Sequence, residues 1–215
     1  MITISPSLLA CDFLNLENEI NKLNKLKNIW IHLDVMDGHF VPNLTFGHEI
    51  IKRISEKSTN PIDAHLMVNN PQFYIETLKD FGVFNITWHL ENNVDHIELI
   101  KIAKKYYKSV GISIRPNTSV KNIPLEVLRL VDLLLVMSVE PGFGGQSFMD
   151  NSIVKCQELK KLKDNQNLKY IIQIDGGISD LNSKSVTKAG AENLVAGSYI
   201  FKSNDYNNQI LKLIS

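Results

Sequence analysis

The sequence predicts an α/β fold closed into a single (β/α)8 TIM barrel, and three observations carry that expectation. Short apolar, β-branched runs alternate with longer amphipathic segments from one end of the chain to the other, the pattern of a parallel sheet assembled from βα units. Several of the runs are almost continuously apolar, as strands covered on both faces must be. Eight of them in 215 residues leave 215/8, roughly 27 residues per unit, close to a minimal βα repeat.

In chain order the expected strands are Ile2–Ser5, Ile29–Asp34, Ile62–Met67, Phe84–His89, Val110–Ile114, Leu133–Met137, Ile171–Asp175 and Asn193–Ala196. Helical periodicity between them covers Leu14–Leu26, Phe73–Phe81, His96–Tyr107, Ile153–Leu162 and Leu181–Ala189. Polar residues and glycines collect just past the strand ends: Ser7, Asp34, His65, His89, Glu140–Gly145, Asp175–Gly177 and Gly197–Ser198. In a βα barrel that rim carries the site. No linker, low-complexity tract or change of composition divides the chain, so residues 1–215 are expected to form one domain.

The composition, 44% hydrophobic and 21% charged, is that of a globular chain, and 23 basic residues balance 23 acidic ones. Zero net charge argues against a nucleic-acid or membrane-surface partner, both of which need a basic excess. Any anion site must therefore be built locally. Cys11 and Cys156 lie far apart and form no CxxC pair, which points to a reduced, cytoplasmic chain rather than a disulfide framework. The opening MITISPSLLACDF has no basic leader, and no apolar run approaches the ~20 residues of a membrane-spanning helix.

The site chemistry starts from Ile31-His32-Leu33-Asp34-Val35-Met36-Asp37-Gly38. Strand side chains alternate, so His32, Asp34 and Met36 share a face. His65 and Asp175 sit at or near the ends of two further strands. Read alone, each histidine is a satisfied interior group and each aspartate a helix cap. Four such groups converging on one barrel mouth are a different matter, because unpaired burial of charge there is costly. Two imidazoles and two carboxylates suit one borderline divalent cation (Zn²⁺, Fe²⁺, Mn²⁺ or Co²⁺) better than Ca²⁺. Pro141-Gly142-Phe143-Gly144-Gly145-Gln146-Ser147, Gly176-Gly177 and Gly197-Ser198 follow successive strands. Together they make a phosphate cradle, since glycine lets backbone N–H groups approach an anion. No GxxxxGK[ST] sequence is present, so a nucleotide P-loop is not indicated. Two carboxylates beside a Lewis acid suit proton abstraction next to a carbonyl, with return of a proton to the opposite face and no redox cofactor.

The blocks ISPSLLACDF, HLDVMDGHFVPNLTFG, DAHLMV, WHLE, VMSVEPGFGGQSF, IDGGI and AGAENLVAGSYIF closely resemble, in order and spacing, the ribulose-phosphate 3-epimerase family. The resemblance runs nearly end to end. It implies a barrel of the ribulose-phosphate-binding type that interconverts D-ribulose 5-phosphate and D-xylulose 5-phosphate in the pentose phosphate pathway. It also implies His32, Asp34, His65 and Asp175 as metal ligands, with zinc the first choice, and Asp34 and Asp175 as the acid/base pair. Ser7 and His65 would contact substrate, as would Gly142, Phe143, Gly144, Gly145, Asp175, Gly176, Gly177, Gly197 and Ser198. Met36, Met67 and Met137 would line the site, and a homo-oligomer is expected. Ala10-Cys11, Arg115 and Gln173 depart from the commonest family pattern; Arg115 is expected to be a solvated rim charge. Two alternatives stand beside this reading: an epimerase of a six-carbon ketose phosphate such as allulose 6-phosphate, and a sugar-phosphate-binding barrel without catalysis.

Overall fold

The computed structural model describes residues 2–215. Eight strands form one sheet: β1 (Thr3–Pro6), β2 (Ile31–Met36), β3 (Ile62–Met67), β4 (Asn85–His89), β5 (Ser109–Ile114), β6 (Leu133–Met137), β7 (Ile171–Asp175) and β8 (Asn193–Ala196). Their order is β1-β8-β7-β6-β5-β4-β3-β2, and every hydrogen-bonded neighbour is parallel. The last gap, between β1 and β2, is spanned by single parallel bridges at Ile4–Ile29 and Ser7–His32 and by the Trp30 N–H donated to the Ile4 carbonyl (3.1 Å). The sheet is a TIM barrel.

Nine helices surround it among the described residues: α1 (Leu16–Leu23), α2 (His48–Lys57), α3 (Pro71–Thr77), α4 (His96–Ala103), α5 (Leu125–Leu130), α6 (Asn151–Gln166), α7 (Ser183–Ala189), α8 (Ser198–Phe201) and α9 (Tyr206–Ile214). Local chemistry sets their starts. Asn70, Asp95 and Asp205 each accept a backbone N–H three residues on, and Pro71 occupies the first position of α3, where its missing N–H costs nothing. Helix α1 begins two residues later than expected because Asp12 first caps a 3-10 turn over Phe13–Asn15. Strand β2 is likewise displaced. Ile29 and Trp30 extend its apolar run, but the four-residue β1 offers them only single bridges.

The two faces of the sheet differ in kind. Along β3, Ile62, Ala64 and Leu66 join the large apolar core under the helices, while Asp63 and His65 alternate to the inside. Strands β4 and β5 do the same, turning Asn85, Thr87, His89, Ser109 and Ser113 inward, all buried. The barrel interior is therefore polar over much of its depth, where such barrels are usually filled by branched apolar side chains. Apolar packing inside is confined to small groups, one of them Leu133, Leu135, Met137 and Val139.

Asp63 ties this interior together. Its Oδ2 accepts from Gln173 Nε2 (2.6 Å) and faces His32 Nδ1 (2.8 Å), and its Oδ1 accepts from Asn85 Nδ2 (2.6 Å). Strands β3 and β7 are separated by three others in the sheet order, so the Gln173 bond crosses the barrel. Burial alone would disfavour the Asp63 carboxylate, but the His32 charge and these donors hold its pKa below the usual range. Replacing Asp63 with alanine would leave donors from three strands unpaired inside the barrel. The Asp63→Ala variant is expected to lose ~3–5 kcal/mol of stability, read as a lower urea midpoint at unchanged slope; a midpoint matching the parent protein would refute this account.

Candidate active site

Parallel pairing lays out the site. The β2–β3 register sets His32 beside Asp63, Asp34 beside His65 and Met36 beside Met67. The β6–β7 register sets Met137 beside Asp175. Strands β2 and β7 are separated by β1 and β8 around the closed barrel, so Asp34 and Asp175 approach the axis from different directions.

Four donor atoms converge there. His32 Nε2 and His65 Nδ1 each lie 3.4 Å from Asp34 Oδ1 and 3.7 Å from Asp175 Oδ2. One ligand atom from each residue falls within 4.8 Å of all the others. These separations are longer than good hydrogen bonds, and both ring nitrogens are buried without a hydrogen-bond partner. Orphaned buried polar atoms are costly and rare. Ligand atoms arranged tetrahedrally at about 2.1 Å from a small cation stand about 3.4 Å apart, close to the spacings found. The donor set thus fits a metal ion, and His32, Asp34, His65 and Asp175 can hold one.

The far nitrogen of each imidazole is anchored. His32 Nδ1 meets Asp63 Oδ2, and His65 Nε2 meets His89 Nε2 at 2.9 Å. Burial disfavours the charged form of His32, yet the carboxylates of Asp34 and Asp63 outweigh it and raise its pKa well above the ordinary value. The two aspartates at the mouth are driven apart. Burial works against the Asp34 charge, but His32 and His65 overcome it and hold the group ionised far below the usual range. Asp175 goes up instead, through burial and the neighbouring Asp34 charge. Ser7 Oγ donates to Asp34 Oδ2 at 2.6 Å.

Above these groups opens a cavity of about 350 Å³. Asp34, Asp175, Met36, Met67 and Met137 line it, as do Ser7, Gly142, Phe143, Gly144, Gly145, Gly176, Gly177, Gly197 and Ser198. His32 and His65 are fully buried and do not line it. The glycine loops owe their shape to backbone geometry. Gly176 has φ +123°, and a Cβ there would sit 2.9 Å from the Val139 nitrogen; Gly177 has φ +63°, with a Cβ 2.7 Å from the Phe148 nitrogen. Asn43 Nδ2 pins the Gly142 carbonyl (2.8 Å), and Gln146 Nε2 spans the Glu140 and Phe143 carbonyls (2.6 and 2.8 Å).

Several contributors escape sequence reasoning. Lys202 is the only cationic side chain among the described residues lining the cavity; it lies one helical turn past Ser198, a spacing that could have flagged it. Asp63 precedes His65 by two, the strand period that puts both inside. Arg115 is not a freely solvated charge. It is half-buried, with its guanidinium 4.4 Å from the centre of the Phe40 ring and its Nη2 donating to the Phe40 carbonyl (3.2 Å), because a weakly hydrated planar cation gains from an aromatic face.

Comparison with known proteins agrees with this geometry. The chain is 40% identical over 215 residues to a ribulose-phosphate 3-epimerase of Aquifex aeolicus, covering 100% of this chain and 96% of that one. It is 42% identical over 201 residues to the cytoplasmic isoform of that enzyme from Oryza sativa, covering 92% and 86%. Among solved structures, a tryptophan synthase α-subunit mutant from Pyrococcus furiosus superposes with a TM-score of 0.66 over 99% of this chain and 97% of that one, at 15% identity, a likeness of fold alone. Residues 3–201 match the model of the ribulose-phosphate 3-epimerase family, and with these two enzymes aligned over 92–100% of its length the chain belongs to that family.

Proposed function

We propose that this chain catalyses the reversible 3-epimerisation of D-ribulose 5-phosphate to D-xylulose 5-phosphate, with Asp34 and Asp175 as the proton-transfer pair. The observation that carries the reading is the placement of two carboxylates, from non-adjacent strands that reach the axis from different directions, at the floor of one cavity. The C3 proton of a 2-ketose is acidified by the adjacent carbonyl. A carboxylate on one face removes it, leaving an enediolate, and a carboxylic acid on the other face returns a proton with inversion. The opposed pKa directions suit Asp34 as the base and Asp175 as the acid when ribulose phosphate is the substrate. Ser7 holds the Asp34 carboxylate in register through its hydroxyl hydrogen bond.

His32, Asp34, His65 and Asp175 would hold one divalent cation, zinc the first choice for this mixed nitrogen and oxygen set, with iron, manganese and cobalt also compatible. When bound, it would act as a Lewis acid that stabilises negative charge on the enediolate oxygens. Met36, Met67 and Met137 put polarizable surface without hydrogen-bond donors around the reacting carbons. The loops at Gly142–Gly145, Gly176–Gly177 and Gly197–Ser198 admit phosphate oxygens close to the backbone, and Lys202 adds a positive charge to the same cavity. No described helix is long and apolar enough to cross a membrane; the name of the rice relative supports a cytoplasmic assignment.

Purified protein, chelated and then resupplied with single divalent metals, is expected to convert ribulose 5-phosphate to xylulose 5-phosphate only after metal return. A larger kcat/KM for allulose 6-phosphate would move the assignment to the six-carbon ketoses. Bound metal with no solvent deuterium entering C3 would leave a sugar-phosphate-binding barrel. The Asp175→Asn variant keeps an oxygen ligand but loses a proton-transfer group. Its kcat should fall by about 10²-fold or more while metal content is retained, and near-normal turnover would rule out the two-carboxylate scheme.

A further inference from the structure

The two imidazoles at the site are supported in different ways. His32 has a carboxylate partner, Asp63, at its far nitrogen. His65 has another imidazole: its Nε2 lies 2.9 Å from His89 Nε2, and the two rings stack with centroids 5.0 Å apart. Beyond it, His89 Nδ1 lies 3.1 Å from Glu91 Oε2. The other Glu91 oxygen accepts the Arg115 backbone N–H (2.9 Å) and the Thr118 hydroxyl, so the carboxylate is committed as an acceptor on both sides.

That commitment propagates inward by elimination. A carboxylate can only accept, so His89 carries its proton on Nδ1 and presents a lone pair at Nε2. His65 must then donate from Nε2, which leaves the lone pair of its Nδ1 pointing at Asp34 and Asp175. Nδ1 is the atom found buried without a partner. In the opposite arrangement His89 would donate to His65, and the proton of His65 would stand on Nδ1, between the two carboxylates, where it would block a cation.

The surroundings hold this chain of groups in place. Phe40 packs on His89 with ring centroids 4.8 Å apart, and the Arg115 guanidinium stands 4.4 Å from the centre of the same Phe40 ring. Lys155, itself buried, donates to the carbonyls of Arg115, Pro116 and Thr118 at 2.8, 2.6 and 2.7 Å. It thereby fixes the loop that delivers both donors to Glu91.

We propose that His89 and Glu91 are positioning residues for metal binding: Glu91 sets the tautomer of His89, and His89 sets the tautomer and ring orientation of His65. This rests on the metal reading above. Partners of this kind tune metal affinity about 10–100-fold. The test is the zinc dissociation constant, measured by competition with a chromophoric chelator on the whole chain. His89→Phe fills the space but removes the acceptor, and is expected to weaken zinc binding about 10–100-fold. His89→Gln offers a carbonyl acceptor in place of Nε2 and should restore most of the loss. Glu91→Leu should weaken binding in the same direction, and adding it to His89→Phe should change little more, because Glu91 acts through His89.

A purely structural role would lower the melting temperature of the metal-free variants but give no rescue by glutamine. Wild-type zinc affinity in His89→Phe, or additive losses in the double variant, would overturn the proposal while leaving the metal site itself intact. A wild-type protein that binds no divalent cation would overturn the metal reading and this proposal with it. If His89→Phe fails to fold, the Glu91→Leu and His89→Gln affinities decide alone: a loss with Glu91→Leu and near-normal binding with His89→Gln support it, and parity among all three proteins sinks it.

Discussion

A carboxylate buried on the axis of a barrel is expensive to place, because an ion removed from water loses several kcal/mol of solvation unless neighbours replace it. Asp63 meets that demand with groups from three strands, His32 of β2, Asn85 of β4 and Gln173 of β7. The same bonds fix what lies above. With Nδ1 committed to Asp63, the His32 ring has one orientation and turns Nε2 toward Asp34 and Asp175. With Gln173 reaching across from β7, the distance between opposite walls is set just below Asp34 and Asp175. Ascending β3 from Asp63, His65 and then Met67 follow at the strand period, so one residue register carries support, donor group and apolar lining.

The interior is given over to polar groups, and cohesion has to come from elsewhere. It comes from the layer between sheet and helices, where the alternate residues of every strand join one apolar cluster with the inner faces of the helices. This division explains why the outside of most strands reads as Ile, Leu and Val while the inside, β6 excepted, is rich in Ser, Asn, Asp and His. It would also link folding to cation binding: the two carboxylates and two open imidazole nitrogens within 4.8 Å of one another would each be stabilised by a divalent charge, so an ion bound there would favour the folded chain by mass action.

Much of this was legible in the sequence, and the reasons are local. Strands β3, β6, β7 and β8 fall at the expected residues because each is an apolar run bounded by turn residues. Asp34, His65 and Asp175 were legible because each stands at or near the end of an expected strand, where the barrel rim collects chemistry, and His32 because strand alternation puts it on the same face as Asp34. The supporting groups were not. His89 was visible as a rim residue, but its contact with His65 depends on the β3–β4 register, which pairs His65 with Thr87 and brings His89 over it from one step above. Asp63 was hidden for a related reason: its role exists only because Gln173, 110 residues away, crosses the barrel to it. Arg115 was misjudged as solvated because nothing in Arg-Pro-Asn-Thr announces Phe40, 75 residues earlier, as its stacking partner.

The zero net charge has a last consequence inside the cavity. A dianionic sugar phosphate is not drawn to the molecule as a whole, so its orientation must be settled by charges within reach. The lining carries three carboxylates, Asp34, Glu140 and Asp175, against one ammonium, Lys202. A phosphate would be repelled by Asp34 and Asp175 at the floor and attracted toward the side of the cavity lined by Gly197 and Lys202. A cation held at the floor would reverse the local sign there only for the sugar oxygens near it, not for the distant phosphate. Under the proposed function the field would run along the cavity, directing the carbonyl end of a ketose phosphate to the floor and its phosphate to the rim. The barrel fold, shared with a protein at 15% identity, does not dictate that direction; the placement of these few charged groups does.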